Sequence, residues 1–256
     1  MKKYCFALSV LALLFACTPA GSLQEDANNS ESSGNGNEEG YGNENSGNQE
    51  VVTTAIEAID IGLSVKWGSC NLGASAPEDI GGYFAWGELE PKSNYKWQYY
   101  KWSNGDHEKL TKYCPADKSD FWDGDGEPDN KTFLDPEDDA AHVILGGKWR
   151  LPTPNDVEEL YSTKENASYN WEWKALNGHN GWLITYLINN NTLFLPATGH
   201  IEETEIGRPD YGYYRTSSLV TGYTPSSALD MKFYSREVSW SYRSRSDGLC
   251  IRPVAE

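Results

Sequence analysis

The stretch at residues 123–129, Asp-Gly-Asp-Gly-Glu-Pro-Asp, places a carboxylate at every second position. Glycines separate these side chains, so the backbone can turn tightly between them. Several carboxylate oxygens folded around one hard cation are the usual ligands of Ca²⁺ in proteins. The spacing therefore predicts a calcium site, and its ligands would be Asp123, Asp125, Glu127 and Asp129.

The same loop resembles the Asp-Gly-Asp-Gly-x-Pro-Asp loops of thrombospondin-type calcium repeats. It departs from an EF-hand, because Pro128 stands where that loop needs Gly and Leu134 stands where it needs a bidentate Glu. A solvated acidic turn, with Gly and Pro acting only as turn formers, is the alternative.

A second group that could bind a ligand lies in the C-terminal quarter, where aromatic rings alternate with arginines. Rings and guanidinium forks dominate recognition sites, and this group predicts a binding face. Aromatic residues that alternate along strands also pack into cores, so part of the group could be structural. The candidate ligand contacts are Tyr213, Tyr214, Arg215, Trp240, Tyr242, Arg243 and Arg245.

Signals for catalysis are weak. The four histidines are scattered, and the chain has no HExxH pair, no GxSxG turn and no metal-spaced His/Cys set. Carboxylates are plentiful, which leaves a hydrolase with an Asp/Glu pair open. We expect a protein that is not an enzyme.

The element that would organise these groups is the stretch GGKWRLPTPNDVEEL at 146–160. Thr153 is a good N-cap, Pro154 suits the first helical position, and Asp156 places negative charge at the positive helix end. Val157 and Leu160 follow at helical spacing, so one face of this helix can pack inward.

Helical signals lie in the first part of the domain and strand signals in the second, which predicts an α+β fold. A helix start at Asp135-Pro136-Glu137-Asp138 leads into residues 140–145, and Asn189-Asn190-Asn191 reads as the turn of a hairpin. The predicted strands are 61–67, 83–88, 181–188, 192–196, 211–217, 228–234, 237–240 and 249–254.

Five motifs together resemble one bacterial family. They are WRLPT, DIGLSVKWGSCNLGAS at 60–75, GGYFAWGE at 81–88, DNKTFLDPEDDAAHV at 129–143 and GLCIRPV at 248–254. The combination is similar to the major paralogous domain first named for Fibrobacter succinogenes, which is abundant in lipoproteins of Bacteroides-like bacteria and related to formylglycine-generating-enzyme-like domains. The resemblance implies a single C-type-lectin-like domain over residues 55–256. In related lectin-like proteins the last strands and loops supply the ligand contacts.

The resemblance also bears on the cysteines. The first and last strands of lectin-like folds are adjacent, and Cys70 and Cys250 fall on them, so a disulfide between the two is one reading and two buried free thiols the other. Cys114 has no obvious partner. Formylglycine-generating enzymes need a reactive cysteine pair in their site, whereas these two cysteines would lie on framework strands.

The N-terminal region predicts export. Lys2 and Lys3 precede an apolar run too short to span a bilayer, which is typical of a secretory signal over residues 1–16. The residues before Cys17 resemble a lipobox, which implies a diacylglyceryl anchor on that cysteine. An ordinary signal peptide with an incidental cysteine is the alternative. Residues 17–54 are rich in Asn, Gly, Ser and Glu and predict a disordered acidic linker.

Charge excludes one class of partner. The net charge of −17 argues against nucleic acid, because a phosphate backbone is bound through a basic surface. It also argues against simple attachment to an anionic membrane surface, so contact with the membrane would come through the lipid on Cys17.

Together these features predict a non-catalytic outer-membrane lipoprotein, on the cell surface or the periplasmic face, whose domain binds a glycan or an envelope protein. A structural or tip subunit of a surface assembly is the alternative, followed by an enzyme on a formylglycine-generating type of fold.

Overall fold

The computed structural model describes residues 55–220 and 222–256. The predicted signal (1–16), the predicted lipidation site Cys17 and the predicted linker (17–54) lie outside the described residues. Within the described residues, no helix is both long and apolar enough to cross a bilayer.

Within residues 55–220 and 222–256 the chain forms two short α-helices, short 3₁₀ turns and four small antiparallel sheets, which confirms the α+β prediction at this level. The helices are α1 (Ala140–Leu145) and α2 (Pro154–Ser162). The strands are β1 (Ala58–Ile59), β2 (Lys66–Gly68), β3 (Trp149–Arg150), β4 (Tyr169–Leu176), β5 (His179–Tyr186), β6 (Thr192–Pro196), β7 (His200–Glu202), β8 (Glu205–Gly207), β9 (Gly212–Leu219), β10 (Ser227–Tyr234), β11 (Glu237–Ser244) and β12 (Val254–Ala255).

The last strand, β12, pairs with β2 and β3, so the two ends of the described chain share one sheet. The sheet order is β1-β2-β12-β3, with Val254 opposite both Trp67 and Arg150. The other sheets have the orders β4-β5-β6, β11-β10-β9 and β7-β8. The predicted hairpin across Asn189-Asn190-Asn191 is confirmed as β5 and β6.

Helix α2 begins as its sequence predicts. Thr153 accepts from the backbone N–H of Asp156, and the Asp156 carboxylate accepts from the N–H of Thr153, which is a reciprocal capping box. Val157 and Leu160 are fully buried in the main core. This core also contains Trp67 and Phe233, so α2 packs between the terminal sheet and the β9–β11 sheet.

Two predicted strands are mostly irregular. In the 61–67 segment the alternating residues do point inward, but the chain bends at Gly62, whose φ is +75° and whose N–H bonds the Asp60 side chain. The 83–88 segment makes only a single bridge, between Phe84 and Leu249, before Gly87 turns at φ +76°. A positive φ takes the backbone out of the extended region, so a continuous ladder cannot form.

Arg252 holds the irregular segment that follows β2. Its side chain is completely buried and donates to the Asn71 side chain at 2.8 Å, to the Gly68 carbonyl at 3.0 Å and to the Phe194 carbonyl at 2.8 Å. Its charge is thus met by carbonyl oxygens and an amide, and burial lowers its pKa.

The predicted disulfide is wrong for this structure, because Cys70 and Cys250 are both free and buried, as is Cys114. The Cys70 thiol donates to the Ala74 carbonyl and the Cys250 thiol to the Ile80 carbonyl, so each sulfur lies against a different backbone group. The alternative reading, two buried free thiols, is the one that the structure supports.

Candidate functional site

Four of the seven predicted ligand contacts are buried, which corrects the predicted binding face. Tyr213 is 3% exposed, and Tyr214, Arg215 and Arg245 are 0% exposed. These residues are covered by segments that are distant in sequence, so a ligand outside the molecule cannot touch them.

Arg215 instead anchors the turn that follows β11. Its Nη1 pairs with Asp230 Oδ1 at 3.0 Å, and its Nη2 donates to the carbonyls of Ser244 at 2.9 Å and Asp247 at 2.6 Å. A planar guanidinium can serve several acceptors from a fixed position. Arg215 thus fixes the backbone of residues 244–247.

Arg245 anchors the same turn from the other side. Its guanidinium donates to the Tyr100 hydroxyl at 2.9 Å and to the carbonyls of Lys112, Tyr113 and Pro225 at 3.0–3.2 Å. The Trp86 ring lies 5.0 Å from the cation. Arg245 therefore links the turn after β11 to the segments around Tyr100, Tyr113 and Pro225.

The remaining three predicted contacts do not form one face. Trp240 is half-buried, packs beside Tyr161 and donates to Glu158 at 3.2 Å. Tyr242 is 52% exposed and lies next to Tyr223. Arg243 is on the opposite face of β11, with its guanidinium 4.4 Å from the centre of the Tyr213 ring.

A different site lies beside the anchored turn. A cleft of about 330 Å³ opens between the β7–β8 hairpin, the turn after β11 and the 3₁₀ turn at Trp97–Tyr99. This volume is at the lower end of the range of roughly 300–1,000 Å³ for small-molecule sites. Residues that line it are Tyr95, Lys96, Trp97, Gln98, Gly105, Glu202, Glu203, Ser244, Ser246 and Asp247.

Asp247 is the central polar group of this cleft. The residue is 7% exposed, and within the described part of the chain no hydrogen-bond donor reaches its carboxylate. Its ion pair with Arg243 Nη1 is long, at 3.9 Å. Burial raises the pKa of Asp247 to about 6, with Arg215 and Arg243 opposing that rise. A carboxylate in this position can accept hydrogen bonds from whatever enters the cleft.

The hairpin contributes two more carboxylates. Glu202 and Glu203 lie at its tip, and Glu203 pairs with Lys96 at 3.3 Å. The backbone N–H of Tyr95 bonds the Glu203 carbonyl at 2.7 Å and joins the hairpin to the opposite wall. Glu203 has a φ of +54°, which is uncommon for a residue other than glycine.

Aromatic and hydroxyl groups complete the walls. Trp97 is half-buried, with its ring edge-on to Tyr100 at 5.1 Å between centroids. The Ser244 and Ser246 hydroxyls are 2.7 Å apart and bond each other. The cleft therefore combines one indole ring, two hydroxyls and three carboxylates.

Buried ionisable groups lie beneath the cleft. Asp230, which pairs with Arg215, has its pKa raised to about 7 by burial, which outweighs the pairing. Burial, followed by the charge of Arg243, lowers the pKa of His200 to about 4. Asp230 Oδ2, Arg243 Nε and His200 Nδ1 are buried and have no partner among the described residues.

The predicted calcium loop does not gather its ligands in this structure. Both Asp129 oxygens accept backbone N–H groups, from Tyr113 at 2.7 Å and Cys114 at 2.9 Å, and Asp123 accepts from Asn104. Asp125 and Glu127 are exposed. In the described ranges, the one set of three metal-ligating side chains that lie within 4.8 Å of one another is Asp106, His107 and Glu108. Binding of Ca²⁺ at 123–129 would thus require the loop to rearrange.

The residues of the cleft were not among the predicted site residues. The sequence marks 94–102 as rich in Tyr and Trp and places Asp247 between two strand signals. Neither signal indicates that Trp97, Glu202 and Asp247 meet, because these residues are up to about 150 positions apart.

Comparison with known proteins adds no match at any level: no family model, no curated protein and no solved structure matches the chain. The resemblance to the major paralogous domain therefore stays a prediction from the motifs.

Proposed function

We propose that this protein is a non-catalytic cell-envelope lipoprotein whose C-type-lectin-like domain binds a glycan, and that the cleft around Asp247 is its binding site. The lipid would be attached at Cys17, and residues 17–54 would form the tether.

The observation that carries the proposal is the Asp247 carboxylate. Its oxygens line the cleft and accept no hydrogen bond from the described residues, and they are not among the buried polar atoms that lack a partner, so water or a ligand supplies their donors. A ligand hydroxyl that donates to Asp247 would replace that water. Sugars present many such hydroxyls on one small ring.

The walls of the cleft support the same class of ligand. The apolar C–H face of a sugar ring packs against an aromatic ring, and Trp97 supplies one. Glu202, Ser244 and Ser246 add acceptors and donors at the rim. A few polar groups around an aromatic wall are typical of small-molecule sites.

The cysteines support binding rather than formylglycine-type chemistry. Burial raises the pKa of Cys114 to about 11 and of Cys250 to about 12, and it raises that of Cys70 as well. Thiolates are the reactive form of cysteine, and such shifts suppress them.

A structural subunit is the second candidate function. Strand β11 pairs only with β10 within the described residues, so an eight-residue strand lies at a sheet edge. The exposed Tyr223 and Tyr242 flank that edge. Edge strands and exposed rings are common at protein interfaces.

The test is a glycan array followed by titration calorimetry with the purified protein. Asp247→Asn and Trp97→Ala should each weaken binding to the best sugar by at least about tenfold, or about 1.4 kcal/mol. Tyr242→Ala is the matched control, because this exposed aromatic residue lies outside the cleft. It should stay within about twofold of the unmodified protein.

Free sugar should compete with every bound glycan. If Tyr242→Ala abolishes binding while Asp247→Asn does not, the cleft is the wrong site. If no glycan binds and an envelope protein is retained through the β11 edge, the structural candidate replaces this one.

A further inference from the structure

We propose that the cleft selects sugars that carry a protonated amine over neutral and acidic sugars. This inference rests on the proposed glycan-binding function and concerns which sugars the same site accepts.

The charge of the lining is the first support. Three carboxylates, on Glu202, Glu203 and Asp247, line the cleft together with a single lysine, Lys96. Lys96 pairs with Glu203 at 3.3 Å and Arg243 lies 3.9 Å from Asp247, so Glu202 is the lining carboxylate that has no ion-pair partner among the described residues. A recess of one sign concentrates ligands of the opposite sign.

The environment of Asp247 is the second support. Arg243 lies 3.9 Å away, beyond hydrogen-bond distance, and its guanidinium is held over the Tyr213 ring. Arg215 uses its Nη2 on backbone carbonyls of the same turn. The Asp247 oxygens therefore keep their hydrogen-bonding capacity for a ligand, while the two guanidinium groups offset part of the carboxylate charge. An ammonium group brings three donors and a full charge, and a charge-assisted hydrogen bond is about twice as strong as a neutral one.

Trp97 is the third support, because an indole face attracts a cation as well as the C–H face of a sugar ring. A cation within about 6 Å of an indole centroid is attracted by the negative face of the ring. The same lining would disfavour a uronic or sialic acid, since a ligand carboxylate would meet Glu202 and Asp247, and the nearest cations, Lys96 and Arg243, already lie against Glu203 and Asp247.

The experiment compares matched hexamers at pH 6.5 by calorimetry on the full chain. A β-1,4-glucosamine hexamer carries amines, an N-acetylglucosamine hexamer carries amides, and cellohexaose carries hydroxyls at the same position. The amine form should bind at least about tenfold more tightly than the other two, and added salt should weaken only that form. A galacturonic acid hexamer should bind most weakly.

Asp247→Asn should reduce the preference for the amine form to within about twofold. Glu205→Gln is the matched control: this exposed carboxylate is on the same hairpin but does not line the cleft, so the preference should be retained.

The possible outcomes distinguish selection by charge from glycan binding itself. If all three hexamers bind equally and Asp247→Asn weakens each, glycan binding holds and selection by charge is overturned. If no sugar binds, the proposed function itself fails. If a lysine hexapeptide binds more tightly than every sugar, the cleft recognises ammonium groups on peptides and the assignment to sugars is overturned.

Discussion

Three arginines are structural in this chain: Arg215, Arg245 and Arg252. Arg215 and Arg245 are predicted ligand contacts, yet both, like Arg252, are 0% exposed and bonded to backbone carbonyls. Long irregular segments leave many carbonyls without a ladder partner, and a guanidinium can satisfy several of them at once. Arg215 and Arg245 thus hold the turn that borders the cleft, whereas Arg252 holds the segment that follows β2.

The raised pKa of Asp247 means that its ionised form destabilises the folded state relative to the unfolded chain. Its pKa is 3.8 for the free side chain and about 6 in the folded protein, so the folded state binds the proton more tightly. The penalty is complete above about pH 6 and disappears below about pH 4. Asp247→Asn should therefore raise the free energy of unfolding at pH 7.5, on the order of 2 kcal/mol.

Urea unfolding at a series of pH values measures this effect. The difference between the variant and the unmodified protein should shrink as the pH falls from 7 to 4. His200 titrates in the same window with the opposite sign, but it is present in both proteins and its contribution cancels. The pKa of Asp230 is raised in part by Asp247, so the variant also lowers that pKa, which changes stability in the same direction. Asp210→Asn, an exposed control, should show no pH-dependent difference. If Asp247→Asn is less stable than the unmodified protein at pH 7.5, the ionised Asp247 carboxylate does not destabilise the fold.

The β7–β8 hairpin forms one wall of the cleft, and the backbone of its turn is strained at Glu203. Its turn joins Glu202 to Glu205, and Glu203 takes the position with φ +54°. Glycine is favoured there, and an L-residue in that region costs about 1 kcal/mol. A residue that breaks the local rule beside a candidate site is often retained for function.

Glu203→Gly should therefore raise the free energy of unfolding by about 1 kcal/mol and weaken binding of the amine-bearing hexamer. Arg208→Gly is the matched control, since Arg208 has a φ of +49° and lies outside the cleft. It should relieve similar strain and leave binding unchanged. Urea unfolding and calorimetry on both variants provide the comparison, and equal loss of binding in the two would remove Glu203 from the site.

For the whole domain, binding of Ca²⁺ to residues 123–129 would show as a change in melting temperature. A cation that binds only the folded state raises the melting temperature with its free concentration. If the carboxylates at 123–129 bind Ca²⁺, millimolar Ca²⁺ should raise that temperature relative to excess chelator, and Asp125→Asn should abolish the shift. Glu137→Gln, another exposed acidic residue, is the control. Identical melts would retire the calcium prediction.

Elements with local signals were predictable. Thr153 and Pro154 start α2 as expected, and the Asn189–Asn191 turn forms the expected hairpin, because capping and turn chemistry act over a few residues. The strands at 61–67 and 83–88 were overpredicted. Burial alternates in the first, but Gly62 and Gly87 interrupt the ladders.

Near-neighbour patterns were enough to predict the α+β composition, the capped helix and the late antiparallel strands, and the residue counts alone fix the net charge of −17. Only the tertiary structure decided which aromatic and arginine side chains are buried and that Trp97, Glu202 and Asp247 line one cleft. The physical reason is that burial depends on what covers a residue. Here the 95–100 segment, whose Tyr100 hydroxyl accepts from Arg245, lies more than about 100 positions before β9 in the chain.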